Sequence, residues 1–379
     1  MRAIVVGAGP GGAVAALELA RAGAEVSLVE RHAWPRPKTC GDGISPLGVQ
    51  LGRASGVEIE GEVRLEQARV TTPRETAFRG GWPAATPWGT TIERHAFDAL
   101  LVDAAVAAGA RFVPGTTVRA LANEDEAIVA TLASGGREET LRADVAILAE
   151  GATGSLATRL GFPPYRSRLV ALRGYTDAPR ALAQEYGLFY DRLVSPGYGW
   201  IFPIGERRAN VGIAVDEKLL ARRGGDLRAL LHRWMAESRF ARELLGPKPQ
   251  LDDVRGGVIP TGRKRRTAGR VFLIGDAAGV ADPFTAEGIY EAMHSGHLAA
   301  RAVAETANLE RARTRYERDL RVFDRNERTA RALRATFDLA IEPYAWRAAR
   351  SPKFAGRLNT DAFWPKSSFV RFMYDLTRP

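Results

Sequence analysis

This sequence has a single cysteine, no long apolar runs and no internal repeats. Among its 379 residues Cys40 is the single cysteine, which excludes an internal disulfide and any metal site built from several thiolates. No stretch approaches the ~18 consecutive apolar residues of a membrane-spanning helix. The apolar N-terminus contains glycines and Glu18, so it is typical of a strand, a loop and a helix and not of a signal peptide. We therefore expect a cytoplasmic protein that makes at most peripheral membrane contact.

Metal ligands are also sparse. Glu291, His294 and His297 recur every third residue along one predicted helix, which is similar to half of a di-metal carboxylate motif. The sequence contains no second Glu-x-x-His. We therefore interpret these three as surface or packing residues and predict no bound metal.

Positive charge is abundant, with a formal net charge of +10 carried mostly by arginine. Such a balance can attract nucleic acid, anionic lipid or a phosphorylated substrate. The densest cluster, Arg263 to Arg266, lies in a Gly/Thr-rich loop without interleaved aromatic residues. We interpret it as a solvated loop, with an anionic substrate or cofactor contact as the second reading, and expect no nucleic-acid partner.

The N-terminal segment has the pattern of a dinucleotide-binding turn. An apolar strand, Ile4 to Val6, and a helical pattern that includes Val14 flank the glycines Gly7, Gly9, Gly11 and Gly12 and the proline Pro10. Glycines at the first, third and sixth positions permit a tight turn and close approach of the backbone to a diphosphate, and the helix N-terminus favours its negative charge. About 20 residues further on, Glu30 ends a second strand where an acid binds the adenosine ribose, so Glu30 and Arg31 are assigned to this site.

A late motif, Val271 to Gly288, identifies the nucleotide. The strand-like run ends in Gly275 and Asp276, which places a carboxylate where the chain leaves a sheet. There it can accept hydrogen bonds from sugar-alcohol hydroxyls. Flavin dinucleotides carry such a ribityl chain and nicotinamide dinucleotides do not, so the sequence predicts FAD.

The chain length predicts two lobes and a tail. The fold class we predict is α/β, with a Rossmann-like FAD-binding domain, a mainly antiparallel β-sheet substrate domain and a helical C-terminal region. Strand patterns for the substrate domain lie at residues 63–70, 169–175, 184–190, 199–203 and 210–215. The predicted domains are residues 1–62, 91–165 and 262–305 for FAD, 63–90 and 166–261 for substrate, and 306–379 for the tail, whose aromatic and basic end, Phe363 to Tyr374, caps the fold or docks on an acidic bilayer.

Four motifs together resemble the geranylgeranyl reductase family, within the flavoproteins of the p-hydroxybenzoate hydroxylase fold. The resemblance covers roughly residues 1–305. Its motifs are Lys38-Thr39-Cys40-Gly41, similar to a KxCG segment; Arg94 to Leu101, similar to RxxFDxxL; Tyr198 to Pro203 with Asn210-Val211-Gly212, similar to YxWxFP and NVG strands; and Gly275 to Ile289, similar to the second flavin motif.

The resemblance implies roles for these residues. In the family the KxCG segment lies against the isoalloxazine and the substrate cavity, the Arg of RxxFDxxL helps to hold FAD, and the aromatic strands line the substrate cavity. The additional cofactor-binding residues that it implies are Cys40, Gly41, Arg94, Val118, Gly275, Asp276, Pro283, Glu287, Gly288 and Ile289. A helix that begins near Glu287 would place its positive end at the reduced flavin.

The chain departs from the family pattern at three places, and the first two concern the substrate pocket. Ser195 stands where the family usually has proline, with Pro196 one residue later, and Ala286 stands where glycine is common. Glu150 replaces the commoner aspartate and keeps a carboxylate.

The activity that the resemblance implies is reduction of carbon-carbon double bonds in a polyprenyl or other hydrophobic substrate. It needs a hydride from flavin N5 and a proton on the neighbouring carbon. The faces of Tyr198 and Trp200 would stabilise positive charge on the accepting carbon, and the Tyr198 hydroxyl or a water would supply the proton. Cys40 is a third catalytic candidate if Lys38 lowers the pKa of its thiol, and is otherwise a small packed hydrophobe.

Several alternatives stay open. Tyr198 and Trp200 could simply pack in a sheet, and Arg94 could simply pair with Asp98. A flavin-dependent monooxygenase of an aromatic or polyketide-like substrate shares both flavin motifs. A flavin-dependent halogenase would need an active-site lysine, and none lies between Lys38 and Lys218.

The last alternative is a flavin-binding protein without catalytic activity, and the electron donor is a separate question. No second GxGxxG is present for NADPH. We therefore expect NADPH or another donor, including a donor protein, to bind transiently.

Overall fold

The computed structural model describes residues 1–82, 88–306 and 308–356. Its strands are β1 Arg2–Val6, β2 Glu25–Val29, β3 Gly43–Ile44, β4 Val63–Leu65, β5 Gln67–Thr71, β6 Ala77–Gly81, β7 Gly89–Thr91, β8 Arg111–Val113, β9 Thr117–Asn123, β10 Ile128–Ser134, β11 Arg137–Ala143, β12 Val145–Leu148, β13 Ser167–Asp177, β14 Glu185–Phe189, β15 Tyr198–Pro203, β16 Arg208–Asp216, β17 Asp252–Thr261, β18 Thr267–Ala268 and β19 Val271–Leu273. Its helices are α1 Pro10–Arg21, α2 Pro46–Ala54, α3 Arg94–Ala107, α4 Leu156–Arg159, α5 Glu217–Arg222, α6 Leu227–Glu237, α7 Arg239–Leu245, α8 Gly275–Ala278, α9 Ile289–Ala304, α10 Leu309–Asp319 and α11 Arg321–Arg350.

The predicted α/β fold is confirmed, and its first layer is a six-stranded sheet in the order β18-β19-β12-β1-β2-β8. All neighbours run parallel except β18 and β19. Every residue of β12 and β19 is buried, as expected for parallel strands covered on both faces. Helices α1 and α9 cross at glycine: a Cβ on Gly296 would lie 2.3 Å from the Gly11 carbonyl oxygen, so only glycine permits this packing.

The carboxyl ends of four parallel strands meet at one edge of this sheet. The residues that follow β1, β2, β12 and β19 are Gly7, Glu30, Ala149 and Ile274. Open parallel sheets bind ligands in the crevice at that edge. Motifs that lie far apart in the sequence are brought together there.

A seven-stranded sheet forms the second layer, in the order β17-β13-β16-β15-β14-β5-β6. Its neighbours are antiparallel except for β14 and β5, which are parallel. Helices α6 and α7 cover one face through Trp234 and Phe240, which are buried beside Phe189. The opposite face of the sheet carries Tyr198 and Trp200, the two aromatic residues that were predicted to be catalytic. Two smaller sheets have the orders β11-β10-β9 and β3-β7-β4.

One strand prediction needs correction, and one strand was not predicted. Residues 63–70 were predicted as one element of the substrate sheet, but they form β4, which pairs with β7 in a small sheet, and β5, which joins the seven-stranded sheet. Strand β17 was not predicted, because two glycines and a proline argue against a strand interior. It lies at the edge of its sheet, where such residues are tolerated.

The C-terminal region is helical as far as the structure describes it. Tyr316 of α10 donates a 2.7 Å hydrogen bond to the carbonyl of Leu273 in β19. Glu342 of α11 accepts a 2.8 Å bond from the backbone N–H of Arg74 beside β6. The segment from Phe363 to Tyr374 lies outside the described residues. Within the described ranges, no helix combines the length and apolar character needed to cross a bilayer.

Candidate active site

A cavity of about 590 Å³ lies between the carboxyl edge of the six-stranded sheet and the face of the seven-stranded sheet. It gathers almost every site residue predicted from the sequence. The predicted residues that line it are Gly7, Gly9, Pro10, Gly11, Gly12, Glu30, Arg31, Cys40, Gly41, Arg94, Val118, Tyr198, Trp200, Gly275, Asp276, Glu287, Gly288 and Ile289. Pro283 is buried and does not line the cavity, and its contact with the cofactor stays a prediction.

The N-terminal turn is shaped by backbone crowding. Gly7 has a φ of 105°, a conformation that favours glycine, and a Cβ there would lie 2.3 Å from the carbonyl oxygen of Ala149. At Gly12 a Cβ would lie 1.9 Å from the Gly7 carbonyl oxygen. Gly9 has room for a side chain, because the nearest atom to a Cβ placed there would be in the Arg36 guanidinium, 3.7 Å away. No side chain caps the N-terminus of α1, so its N–H groups fit a diphosphate.

An ion-pair network surrounds the same turn. Glu30 accepts hydrogen bonds from the backbone N–H groups of Ala8 and His32, and lies 3.3 Å from Arg36. Arg36 also donates to Asp98 at 2.9 Å. Sequence reasoning missed Arg36, which lies in a Pro-rich loop without a recognisable motif.

Arg94 was predicted either to contact FAD or to pair with Asp98 on its own helix. It pairs with Asp98, and it also lines the cavity. Both of its bonds to Asp98 measure 2.8 Å, and both side chains are buried. Asp98 binds both Arg36 and Arg94, so its carboxylate holds the two guanidinium groups beside the cavity. The two readings of Arg94 are therefore compatible.

Asp276 supplies a carboxylate that lines the cavity. It occupies the first turn of α8, and its side chain makes no hydrogen bond with any residue that the structure describes. Burial raises the pKa of the Asp276 carboxyl, and the charges of Lys38 and Arg94 oppose that effect. An acidic group held this way in a cleft is typical of a ligand contact. Its position fits the ribityl hydroxyls of FAD.

The helix expected near Glu287 begins at Ile289, with Gly288 as its N-cap. Burial raises the pKa of Glu287 to about 7, with a hydrogen bond from Ser45 acting in the opposite direction. Glu291, one turn further on, is buried with Oε2 unpartnered, and burial also raises its pKa. The N-terminus of α9 thus faces the cavity beside two buried carboxyl groups.

The two histidines of this helix contact different neighbours. His294 shares a 2.9 Å hydrogen bond with Tyr290, whereas His297 lies 3.5 Å from Glu18. In the described chain, no group of three or more His, Cys, Asp and Glu side chains is placed to hold a metal.

Polar contacts fix the two aromatic catalytic candidates. The Tyr198 hydroxyl donates a short hydrogen bond to the Thr285 carbonyl, and the indole N–H of Trp200 donates a 2.9 Å bond to Asn210. Asn210 in turn donates to the Cys40 carbonyl at 2.9 Å and to Asp42 at 2.8 Å. The aromatic strand, the KTCG loop and the flavin-motif loop are therefore held together at the cavity wall.

The hypothesis that Lys38 lowers the pKa of the Cys40 thiol is wrong. Burial raises the pKa of this thiol, and the charge of Arg94 is the main influence that opposes it. A thiol with a raised pKa stays protonated at neutral pH and is a poor nucleophile. Cys40 therefore lines the cavity as a neutral group.

The sequence analysis missed part of the cavity lining. Strand β17 contributes Gly256 to Ile259, and β14 contributes Tyr186 and Leu188. A left-handed φ of 56° at Ala286 explains why glycine is common there in the family. The signal for β14 was present as an apolar run, whereas β17 offered none.

The comparisons with known proteins agree with this geometry. Residues 1–173 match the family model of the FAD binding domain. A menaquinone reductase of Mycobacterium tuberculosis (strain ATCC 25618 / H37Rv) is 32% identical over 313 residues, covering 78% of this chain and 75% of the relative. The chain belongs to the geranylgeranyl reductase family of FAD-dependent oxidoreductases. A digeranylgeranylglycerophospholipid reductase of Methanoculleus marisnigri is 31% identical over 316 residues, covering 80% and 76%.

A solved structure shares the fold of this chain. A geranylgeranyl bacteriochlorophyll reductase-like protein from Thermoplasma acidophilum has a TM-score of 0.83 at 21% identity, covering 99% of this chain and 98% of that one. At this identity the likeness shows the fold. Together with the family membership, it makes this chain an FAD-dependent oxidoreductase, and its cavity is the candidate active site.

Proposed function

We propose that this family member reduces carbon-carbon double bonds of a polyprenyl or similarly hydrophobic substrate. The observation that carries the proposal is the wall opposite the glycine turn and Asp276. That wall is formed by aromatic and aliphatic residues of the seven-stranded sheet, namely Tyr186, Leu188, Tyr198, Trp200 and Phe202. An apolar chain would be buried there against ring faces, within the cavity that fits the cofactor.

The relatives support the substrate class. Their names specify a menaquinone and a digeranylgeranylglycerophospholipid as what they reduce. We infer that residues 63–90 and 166–261 form the substrate side of the cavity, and residues 1–62, 91–165 and 262–305 the FAD side. NADPH or a donor protein as the source of electrons, and docking of the tail on a membrane surface, belong to the same proposal.

When bound, FAD would supply the hydride. Gly9 and the N-terminus of α1 would hold its diphosphate, Glu30 with Arg31 and Val118 the adenosine end, and Asp276 the ribityl chain. The N-terminus of α9 would favour negative charge at its ring. Trp200, held by Asn210, would present a ring face to positive charge on the substrate. Cys40 and Gly41 would contact the flavin edge and the substrate without ionising.

Tyr198 is proposed to hold and deliver the proton. We expect Tyr198→Phe to retain FAD and to lower kcat about 100-fold, the size typical of losing a positioned general acid. Tyr190→Phe is the matched control, because Tyr190 lies 5.4 Å from Tyr198, ring to ring, but does not line the cavity. The measurement is single-turnover oxidation of reduced enzyme by substrate across pH. Equal rates for Tyr198→Phe and wild type would exclude the role.

A second candidate function is supported by Lys38, which lines the cavity beside Asp276. Both alternatives need reduced flavin and oxygen, and a flavin-dependent halogenase also needs halide and an active-site lysine. In both alternatives the product forms only in air. The KTCG segment and the Tyr-x-Trp strand favour the reductase over the monooxygenase, whereas a halogenase has a similar aromatic strand. The reductase names of the relatives favour the reductase over the halogenase.

The decisive experiment incubates chemically reduced holoenzyme with a polyprenyl lipid in the absence of oxygen. We expect the lipid to gain two hydrogens for each double bond reduced while the flavin reoxidises, as read by mass spectrometry and flavin absorbance. Wild-type enzyme in air with bromide or chloride tests the alternatives. Product that forms only with oxygen, or only with oxygen and halide, would overturn the proposal.

A further inference from the structure

The face of the seven-stranded sheet that lines the cavity changes from polar to apolar along one row. Directly paired residues of neighbouring strands lie on the same face of a sheet. The row runs Arg255, Arg173, Gly212, Trp200 and Leu188 across β17, β13, β16, β15 and β14. Of these, Arg173, Trp200 and Leu188 line the cavity.

Arg173 lies at the polar end of that row. Among the described residues that this sheet contributes to the lining, it is the one charged side chain. It is 2% exposed, and the aromatic ring of Tyr175 lies 4.4 Å from its guanidinium carbon. A buried guanidinium is costly unless its donors are satisfied.

The donors of Arg173 are only partly used. Nη1 donates to the carbonyl oxygen of Asp253 at 2.7 Å and to its carboxylate at 3.0 Å. Nε is buried without a partner. Both hydrogen bonds of this side chain to described residues come from Nη1. A guanidinium has five N–H donors in a fixed fork, so one edge of this fork lacks an acceptor. Because Arg173 lines the cavity, a ligand bound there is positioned to supply that acceptor.

The surroundings favour an acceptor that carries negative charge. Lys38 lines the same cavity, and its neighbour Thr39 donates a 3.2 Å hydrogen bond to the Gly256 carbonyl of β17. Asp253 faces Arg173 from outside the cavity lining and is shared with Arg255 at 2.6 Å. Two carboxylates lie near Arg173, and each already has partners. Asp253 is shared between Arg173 and Arg255, and Asp42 accepts hydrogen bonds from Tyr175 and Asn210.

We propose that Arg173 binds an oxyanion headgroup of the substrate, a carboxylate or a phosphate, while the prenyl chain extends over Trp200 and Leu188. This inference rests on the proposed reduction of prenyl chains and adds the chemistry of the other end of the substrate. The headgroup would fix the position of the chain along the row, and so which double bond lies beside the cofactor.

The test measures binding without turnover. FAD-loaded, oxidised protein is titrated with geranylgeranoic acid, geranylgeranyl monophosphate and geranylgeraniol, and binding is read from the flavin spectrum. We expect Arg173→Met to weaken binding of the two acids about 10- to 100-fold, as for loss of a charge-assisted hydrogen bond, and to leave the alcohol within about 3-fold. The tighter of the two acids distinguishes a carboxylate from a phosphate headgroup.

Two further variants keep the test informative if Arg173→Met folds poorly. Arg168→Met, which changes an exposed arginine of β13 outside the cavity lining, should bind all three probes like wild type. Asp253→Asn should bind the acids a few-fold more tightly, because it removes a negative charge that competes with the headgroup for Arg173; asparagine also tolerates the φ of 45° at this position. FAD retention should be unchanged throughout.

Three results would overturn the inference. They are wild-type protein that binds neither acid, Arg173→Met protein that keeps its preference for the acids over the alcohol, and Arg173→Met protein that loses FAD, which would make Arg173 a cofactor contact. Failure of the proposed function gives a different result, in which the acids bind in an Arg173-dependent way but no double bond is reduced by reduced enzyme.

Discussion

Gly12→Ala is expected to unfold at a markedly lower temperature than wild type and to lose its flavin. An added Cβ would lie 1.9 Å from the Gly7 carbonyl oxygen and 3.1 Å from the Ala149 side chain. The first contact is with backbone, so α1 would have to move away from β1. We expect the free energy of unfolding to fall by about 3 kcal/mol or more, since overpacking against backbone cannot relax through a rotamer change. Thermal unfolding and the ratio of flavin to protein measure the effect.

Gly9→Ala separates folding from cofactor binding at the same turn. Gly9 has an extended conformation, with φ of −76° and ψ of −179°, and its nearest neighbour would be 3.7 Å from the new Cβ. This variant should therefore fold like wild type but bind FAD more weakly, because the methyl group occupies the path of the diphosphate. Similar melting temperatures for Gly12→Ala and wild type would show that the crowding argument is wrong.

Asp276→Ala is expected to raise the dissociation constant of FAD about 10- to 100-fold, the range for losing hydrogen bonds to a charged group. The stability of FAD-free protein should not fall. The carboxylate makes no hydrogen bond with the described residues, and burial raises its pKa, so its ionised form costs free energy in the absence of ligand. A side chain that stabilises the FAD complex but not the FAD-free protein acts by contacting the ligand.

The controls for this prediction are an isosteric and a remote variant. Asp276→Asn keeps one acceptor oxygen and should give an intermediate dissociation constant. Asp103→Ala, on the exposed side of α3, should bind FAD like wild type. Measurement is by flavin fluorescence during titration of stripped protein. Full flavin retention in Asp276→Ala would remove this residue from the site.

The cofactor motifs could be predicted from the sequence because each one is local. A glycine turn, its strand and its helix lie within 20 residues, and steric limits on backbone conformation hold wherever the turn is placed. Glu30 and Asp276 were found in the same way, as acids at strand ends. These residues line one cavity in the structure, as their shared chemistry requires.

Residues that act through long-range pairing could not be predicted. Arg36 reaches Asp98 and Glu30 from a loop without a pattern, and β17 forms despite its glycines because it is an edge strand. The environment of Cys40 was predicted wrongly because Lys38 is its neighbour in sequence, whereas Arg94 is its neighbour in space. Burial and partner choice depend on what packs around a group, which spacing along the chain does not specify.

By itself the sequence determined the cofactor class and the α/β fold, since both follow from short-range backbone geometry and from the period of apolar residues. Only the tertiary structure decided how charge and polarity are arranged around the cavity. Cross-strand register placed Arg173, Trp200 and Leu188 on one face, and that register is set by pairing between strands far apart in the chain.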